Sequence, residues 1–340
     1  MPKVIAEIGV NHNNSEEVLI KLIYGAKEAG ADYVKFQRFV SSEEISIKAD
    51  LANYQKKGNS SYVNQLEMAK ALEISDELLS LGIETCKRID IKPLCSPFEL
   101  KSIKFIKKIL QMNEVKVPSP EITNIPYLEE IAKNFKYIFL STGASFLWEI
   151  GFAIQTIYKI SPTAKITLLH CVSEYPAPIN SLNLAAMKTL NNAFKLPVGF
   201  SDHSEGYIGS IAALTLGAEF IEKHITLDKN MDGPDHRASA SLDDLKKICD
   251  YSKIVDDIIG NGKKIPLETE IPNRKLIRKS VYLNINKLNA GERLKKNDFS
   301  CKRPFNEKFL SPKDIELFIG KKILNDKFLD DGLSVEDFVL

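Results

Sequence analysis

Short apolar runs alternate with stretches of helical periodicity along most of this chain, and that alternation restricts the fold more than any other feature. Eight runs stand out: VIAEIGV (4–10), YVKFQ (33–37), KPLCSP (92–97), EVKVPS (114–119), YIFLST (137–142), ITLLHC (166–171), VGFSDH (198–203) and FIEKHIT (220–226). The segments between most of them carry apolar residues at i, i+3 and i+4, as in SEEVLIKLIYGAKEAG and ELKSIKFIKKILQM. That spacing gives a helix one apolar face. Strand–helix alternation means parallel strands joined by right-handed crossovers. Eight such units in roughly 260 residues match a closed (β/α)8 barrel. An open doubly wound sheet ordinarily carries a glycine-rich phosphate loop after its first strand, and GVNHNNS is not one. The predicted fold class is therefore α/β, a TIM barrel.

The barrel accounts for residues 1–262 of the 340. One connection breaks its rhythm: about 55 residues separate Gln37 from the third strand. A connection that long is usually functional, and one that follows a strand lies over the active face of a barrel. Residues 263–279 are polar, lysine-rich and interrupted by prolines, as a linker is, and 280–340 read as a small β-rich domain with turns at NAGE and DDG. About 60 residues barely hold a core alone, so this domain is expected to lean on something else.

A net charge of +1, from 46 basic and 45 acidic residues, argues against nucleic acid or a membrane surface as a partner bound mainly through charge. The five cysteines form no CxxC pair, which argues against a disulfide framework or a structural zinc site. The N-terminus has no leader pattern and no apolar run is long enough to span a bilayer, so the chain is expected to be cytoplasmic.

Catalytic groups of such barrels sit at the C-terminal strand ends. Here those ends carry Glu7, Asn11 and His12; Lys35 and Gln37; Ser96; Lys116 and Ser119; Ser141 and Thr142; His170; Ser201, Asp202 and His203; Glu222 and His224. All five histidines fall at a strand end or in the loop beyond it, whereas a random scatter would put several on helices. Strand alternation puts Ser201 and His203 on one face with Asp202 opposed, and Glu222 and His224 on one face with Lys223 opposed. Two imidazoles on neighbouring strands, with carboxylates near, can hold a divalent cation with open positions. Lys35 and Lys116, with hydroxyls of Ser96, Ser119, Ser141 and Ser201 close by, suit an anion such as phosphate. Glu7, inside an apolar strand, needs a partner, a substrate or a proton-transfer role. The residues alone thus point to a barrel enzyme with a divalent metal and an anionic, phosphorylated substrate.

The motifs IAEIGVNHN, GADYVKFQ, SPFE, EITNIPYL, LSTGA, LHCVSEYPAP, GFSDHS, GAEFIEKHITLD, GPDHRAS, RKS and CKRP together resemble the sialic acid synthase family, which makes N-acetylneuraminate, legionaminate and pseudaminate. The resemblance implies condensation of phosphoenolpyruvate with an N-acylated mannosamine-type sugar, giving a nine-carbon 2-keto acid and phosphate. It implies Mn2+, or Mg2+, on His203 and His224, and a phosphoenolpyruvate pocket of Lys35, Ser96, Lys116, Ser119, Ser141, Ser173 and Ser201. Glu7 matches a sugar-contacting glutamate, and Gln37, Tyr175 and Asp235 match positions near the sugar. The C-terminal region resembles the family's antifreeze-like (SAF) domain, which in the family covers a partner's barrel in a domain-swapped homodimer and contributes an arginine, here Arg303. The chain departs from the family's usual residues at Asn14, Pro120 and Phe305, while GPDH is more like the neuraminate and legionaminate branches than the pseudaminate one. Two other readings compete: a Schiff-base keto-acid aldolase using Lys116 or Lys35, and a non-catalytic sugar-binding relative.

Overall fold

The computed structural model describes residues 1–50 and 64–339, which form two compact units, Met1–Gly260 and Asn261–Leu340. The first contains eight parallel strands: β1 (Lys3–Gly9), β2 (Tyr33–Arg38), β3 (Lys92–Pro97), β4 (Glu114–Val117), β5 (Tyr137–Ser141), β6 (Lys165–Cys171), β7 (Val198–Asp202) and β8 (Phe220–Thr226). Their order is β3-β2-β1-β8-β7-β6-β5-β4, so consecutive strands are neighbours all the way round and β3 faces β4 across the remaining seam. This is a TIM barrel, and each strand lies within two residues of the limits expected from the apolar runs. Four strands end earlier than expected: β1 and β5 stop one residue short, Ser119 after β4 falls in a 3-10 turn (Ser119–Thr123), where Pro120 fixes the backbone, and His203 lies one residue past β7.

Local sequence sets the helices. Ser15 caps α1 (Glu16–Ala29) by accepting from the Val18 amide, and Gly30, at φ 92°, ends it in the left-handed conformation that a residue without Cβ adopts at little cost. The connection expected to cover the active face includes residues 51–63, which lie outside the described residues. Its described parts form α2 (Ser41–Glu44), α3 (Gln65–Leu72) and α4 (Asp76–Arg88).

Alternation along each strand divides the unit into two apolar layers. Outward residues such as Val4, Val34, Val115, Val117, Phe200 and Ile221 join the helix-side core. Inward residues Ile5, Tyr33, Leu94, Phe139 and Leu169, with Phe220, close the lower barrel into a plug. The next inward positions up every strand are polar or small, and they make the site.

The second unit has its own core, built on Val281, Leu283, Leu294, Ile323 and Leu333. Two antiparallel ladders, Ser280–Leu283 with Phe299–Lys302 and Lys287–Leu288 with Lys327–Phe328, frame it. Among the described residues no helix is long and apolar enough to cross a membrane.

The plug sets one stability prediction. Leu169→Ala empties space inside a closed ring of strands that relaxes little, so it should cost about 2–5 kcal/mol and lower the urea midpoint accordingly. An unchanged midpoint would show that the inward apolar layer is not what closes the barrel.

Candidate active site

The ring above the plug is a closed set of charges. Glu7 on β1 is fully buried, and its carboxylate meets the Lys35 ammonium of β2 at 2.9 Å and accepts from Gln37 Nε2 at 2.8 Å. Lys35 also donates to Ser96 Oγ of β3 at 3.2 Å and lies 3.7 Å from Glu222 of β8. Lys116, from β4 on the far side of the barrel, donates to both Glu222 oxygens at 2.7 and 2.9 Å. Ser201 on β7 completes the ring by donating to Glu222 Oε1 at 2.8 Å. Glu222, assigned no role from the sequence, is therefore the hub. The signal was its shared strand face with His224, two residues on.

The two carboxylates are driven apart. Burial raises the proton affinity of Glu7, and Glu222's charge adds to that against the pull of Lys35. Burial also opposes the charge on Glu222, but Lys116 and Lys35 outweigh it and hold this carboxyl well below the usual range. Two acids whose surroundings separate them in this way have different roles: Glu222 is a fixed counter-ion, and Glu7 is the one able to carry a proton. Burial opposes charge on both lysines. For Lys35 the two glutamates override it and raise its pKa, whereas the Lys116 pKa is lowered.

The imidazoles lie above this ring, with centroids 5.9 Å apart. His203 Nδ1 donates to the Val172 carbonyl at 2.7 Å, which fixes the tautomer and leaves Nε2 as the lone-pair nitrogen. That nitrogen accepts from Tyr175 OH at 3.0 Å, and the Tyr175 ring stacks on His203 at 4.1 Å. Burial pushes His203 down to about 4 and His224 well below its ordinary value, so both rings are neutral near pH 7. His224 Nδ1 is buried and has no hydrogen-bond partner among the described residues; Asp235 Oδ2 is 3.7 Å away. Burial, and then the charge of Glu7, raises the Asp235 carboxyl to about 7. Gly9, at φ 55°, lies beneath, where a Cβ would come within 3.1 Å of both Glu7 and His224.

A hydroxyl-lined corner adjoins the lysines. Ser119 Oγ accepts from the Gly143 amide at 2.9 Å and lies 3.3 Å from Cys171 Sγ. A Cβ on Gly143 would overlap Ser119, Cys171 and Ser173 together, so the loop after β5 must be bare there. Ser141 is buried on the same inward face of β5 as Phe139. Gly143 and Cys171 were not singled out from sequence, since neither type signals chemistry alone. Arg303 belongs to the second unit, where its Nε donates to the Ile277 carbonyl at 3.1 Å.

Other expectations resolve differently. His170 is on the outward side of β6, bonded to the Leu182 carbonyl and stacked on Phe200, away from the mouth. His12 and His236 are buried supports of the loops: His12 Nδ1 accepts from the Asn14 amide, and His236 contacts Thr226 and Asn13. Asn14 sits at φ 54°, a left-handed position asparagine tolerates, and its side chain donates to the Ala71 carbonyl.

A model of the NeuB family matches residues 22–264. Among curated relatives, the N,N'-diacetyllegionaminic acid synthase of Campylobacter jejuni is 42% identical over 334 residues, 98% of each chain. The N-acetylneuraminate-9-phosphate synthase of Mus musculus is 31% identical over 98% of this chain and 91% of its own. Among solved structures, the N-acetylneuraminic acid synthetase of Leptospira borgpetersenii in complex with citrate gives a TM-score of 0.71 at 31% identity, over 80% of this chain and 90% of that one.

The buried loop histidine gives a pH prediction. Burial lowers His12 from 6.5 to about 4. Between those values the unfolded chain binds a proton that the folded chain refuses, so this part of the stability is whole above pH 6.5 and is lost as pH falls toward 4. In urea titrations across that window, His12→Gln should reduce the acid loss by on the order of 3 kcal/mol relative to the parent. Parallel curves would show that His12 takes up its proton without unfolding.

Proposed function

The chain belongs to the NeuB family, and from that footing we propose that it condenses phosphoenolpyruvate with an N-acylated mannosamine-type sugar to give a nonulosonic acid and phosphate. It is a transferase that forms a C–C bond. The diacetamido sugar of the legionaminate branch is the reading supported by the 42% identity to a diacetyllegionaminic acid synthase across the whole chain. The observation that carries the chemistry is the ring of Lys35, Lys116, Glu7 and Glu222 beneath two neutral imidazoles.

His203 and His224 would hold a divalent cation, manganese or magnesium. Their neutral nitrogens, and the buried His224 Nδ1 without a partner, suit such an ion. Among the described residues no group of three or more His, Cys, Asp or Glu is gathered to hold a metal, so its other positions would be left to water and substrate. When bound, it supplies Lewis acidity toward the sugar aldehyde.

The chain's own groups carry the rest. Lys35 and Lys116, with Ser96, Ser119, Ser141, Ser173 and Ser201, bind the phosphate and carboxylate of phosphoenolpyruvate. Its enol carbon then attacks the aldehyde carbon, and the aldehyde oxygen takes a proton. Water adds to C2 and gives up one proton; the C2–O bond to phosphate then breaks, the departing phosphate takes up a proton, and the new C2 hydroxyl loses its own to leave the ketone. Protons must therefore be both delivered and removed. Glu7, with its raised proton affinity, and Asp235, raised to about 7, are the groups suited to exchange them. Gln37 and Tyr175 orient the sugar.

In the second unit we read an antifreeze-like (SAF) domain. Its support would come from a second copy in a domain-swapped homodimer, with Arg303 reaching that copy's sugar site.

The test is phosphate release from phosphoenolpyruvate with Mn2+, using N-acetylmannosamine and its 6-deoxy-diacetamido analogue, with and without chelator. Sugar-dependent, chelator-sensitive release, faster with the diacetamido sugar, is expected. His203→Ala and His224→Ala should each abolish it while the fold is kept. Borohydride trapping of pyruvate on Lys116 or Lys35 would instead favour the aldolase chemistry. Lys116→Met removes one charged anchor of the anion and should raise KM for phosphoenolpyruvate about 10–100-fold. An unchanged KM would take Lys116 out of that pocket.

A further inference from the structure

Behind the two imidazoles, on the outward side of β7 and β8, lies a second buried charge network that the reaction itself does not use. Asp202 and Lys223 are essentially without solvent exposure and pair at 3.1 Å. Asp202 Oδ1 accepts from the Ser204 amide at 2.9 Å and from Ser204 Oγ at 2.6 Å, and Oδ2 accepts from Ser210 Oγ at 2.6 Å. Lys223 Nζ also donates to the Ser204 carbonyl. Gly209 seals the network, since a Cβ there would lie 2.8 Å from Ser204 Oγ and 3.2 Å from Asp202 Oδ1.

Its position matters more than its charge. The β7–β8 ladder runs through Phe200, Ser201 and Asp202 opposite Ile221, Glu222 and Lys223, and it ends there. His203 and His224 are the next residue on each strand, with no ladder bond between them. The side-chain pair is thus the last link between the two strands before the imidazoles. It also brackets His203, because Lys223 contacts Asp202 on one side and Ser204 on the other.

We propose that the buried Asp202–Lys223 pair is a positioning device that sets the separation of His203 and His224. This rests on the reading of those two histidines as metal ligands. Groups hydrogen-bonded directly to metal ligands commonly change metal affinity about 10–100-fold when lost. This pair bonds to neither imidazole and acts through the backbone next to each, so the same range is its upper bound.

Lys223→Met tests it, because Asp202 keeps its three donors from Ser204 and Ser210 and the strands keep their ladder. Thermal unfolding and circular dichroism report the fold. Mn2+ titration of the chelator-treated protein by calorimetry reports the site, and imidazole NMR signals report ring placement without any metal. Expected are a folded variant, Mn2+ affinity lower by up to about 10–100-fold, displaced His203 and His224 signals, and a lower kcat with KM for phosphoenolpyruvate little changed. Ser210→Ala, which removes one hydroxyl from Asp202, should move the same readouts less and serves if Lys223→Met does not fold. A lower melting temperature with unaltered Mn2+ affinity and ring signals would reduce the pair to a structural one and overturn the proposal. If the parent chain itself binds no Mn2+, the metal reading fails, and the ring signals alone then decide for or against the positioning role.

Discussion

Four ionisable side chains inside the barrel, Glu7, Lys35, Lys116 and Glu222, depend on one another. Taking any of them from water alone is costly, and removing a single partner from a buried pair destabilises strongly. They are tolerable only where β1, β2, β4 and β8 deliver them within hydrogen-bonding distance of each other, which a closed barrel does and an open sheet does not. The fold and the charge cluster are therefore a single constraint. Below it lies the apolar plug of Ile5, Tyr33, Leu94, Phe139 and Leu169, and above it the imidazoles stay neutral because burial disfavours their charged forms.

Such a cluster is organised before any substrate arrives. Glu222 holds both ammonium groups in place, so an incoming anion meets fixed charges rather than mobile lysines, and little reorganisation is needed during reaction. The sorting of the carboxylates serves the same end. Glu222, fed by two lysines and Ser201, is locked as an anion, whereas Glu7 and Asp235 are left with raised proton affinities beside the histidines.

The barrel was legible because each strand is a compact apolar run and the helices between carry a different period. The inward face was legible too: alternation alone places Ser201 with His203 and Glu222 with His224. What could not be read was contact across the barrel. Lys116 and Glu222 are 106 residues apart, and nothing local announces that they meet. His170 was misleading for the opposite reason. A histidine in a strand shows its depth in the sequence but its face only through the neighbours, and here Leu169 takes the inward position. The bare backbone at Gly143 is visible only once Ser119, from the end of β4, and Cys171 and Ser173, from the end of β6, converge on it.

The two-residue period makes register on β7 and β8 a functional specification. Inward lie Ser201, His203, Glu222 and His224; outward lie Asp202 and Lys223, interleaved with them. A slip of one residue on β8 would turn Lys223 into the mouth and drive Glu222 and His224 into the apolar helix layer, exchanging every partner at once. The buried outward pair opposes that slip, since an uncompensated Asp202 or Lys223 in the helix-side core is far worse than the pair. The same alternation that brings the chemistry to one face thus supplies, on the other, the charges that keep it in register.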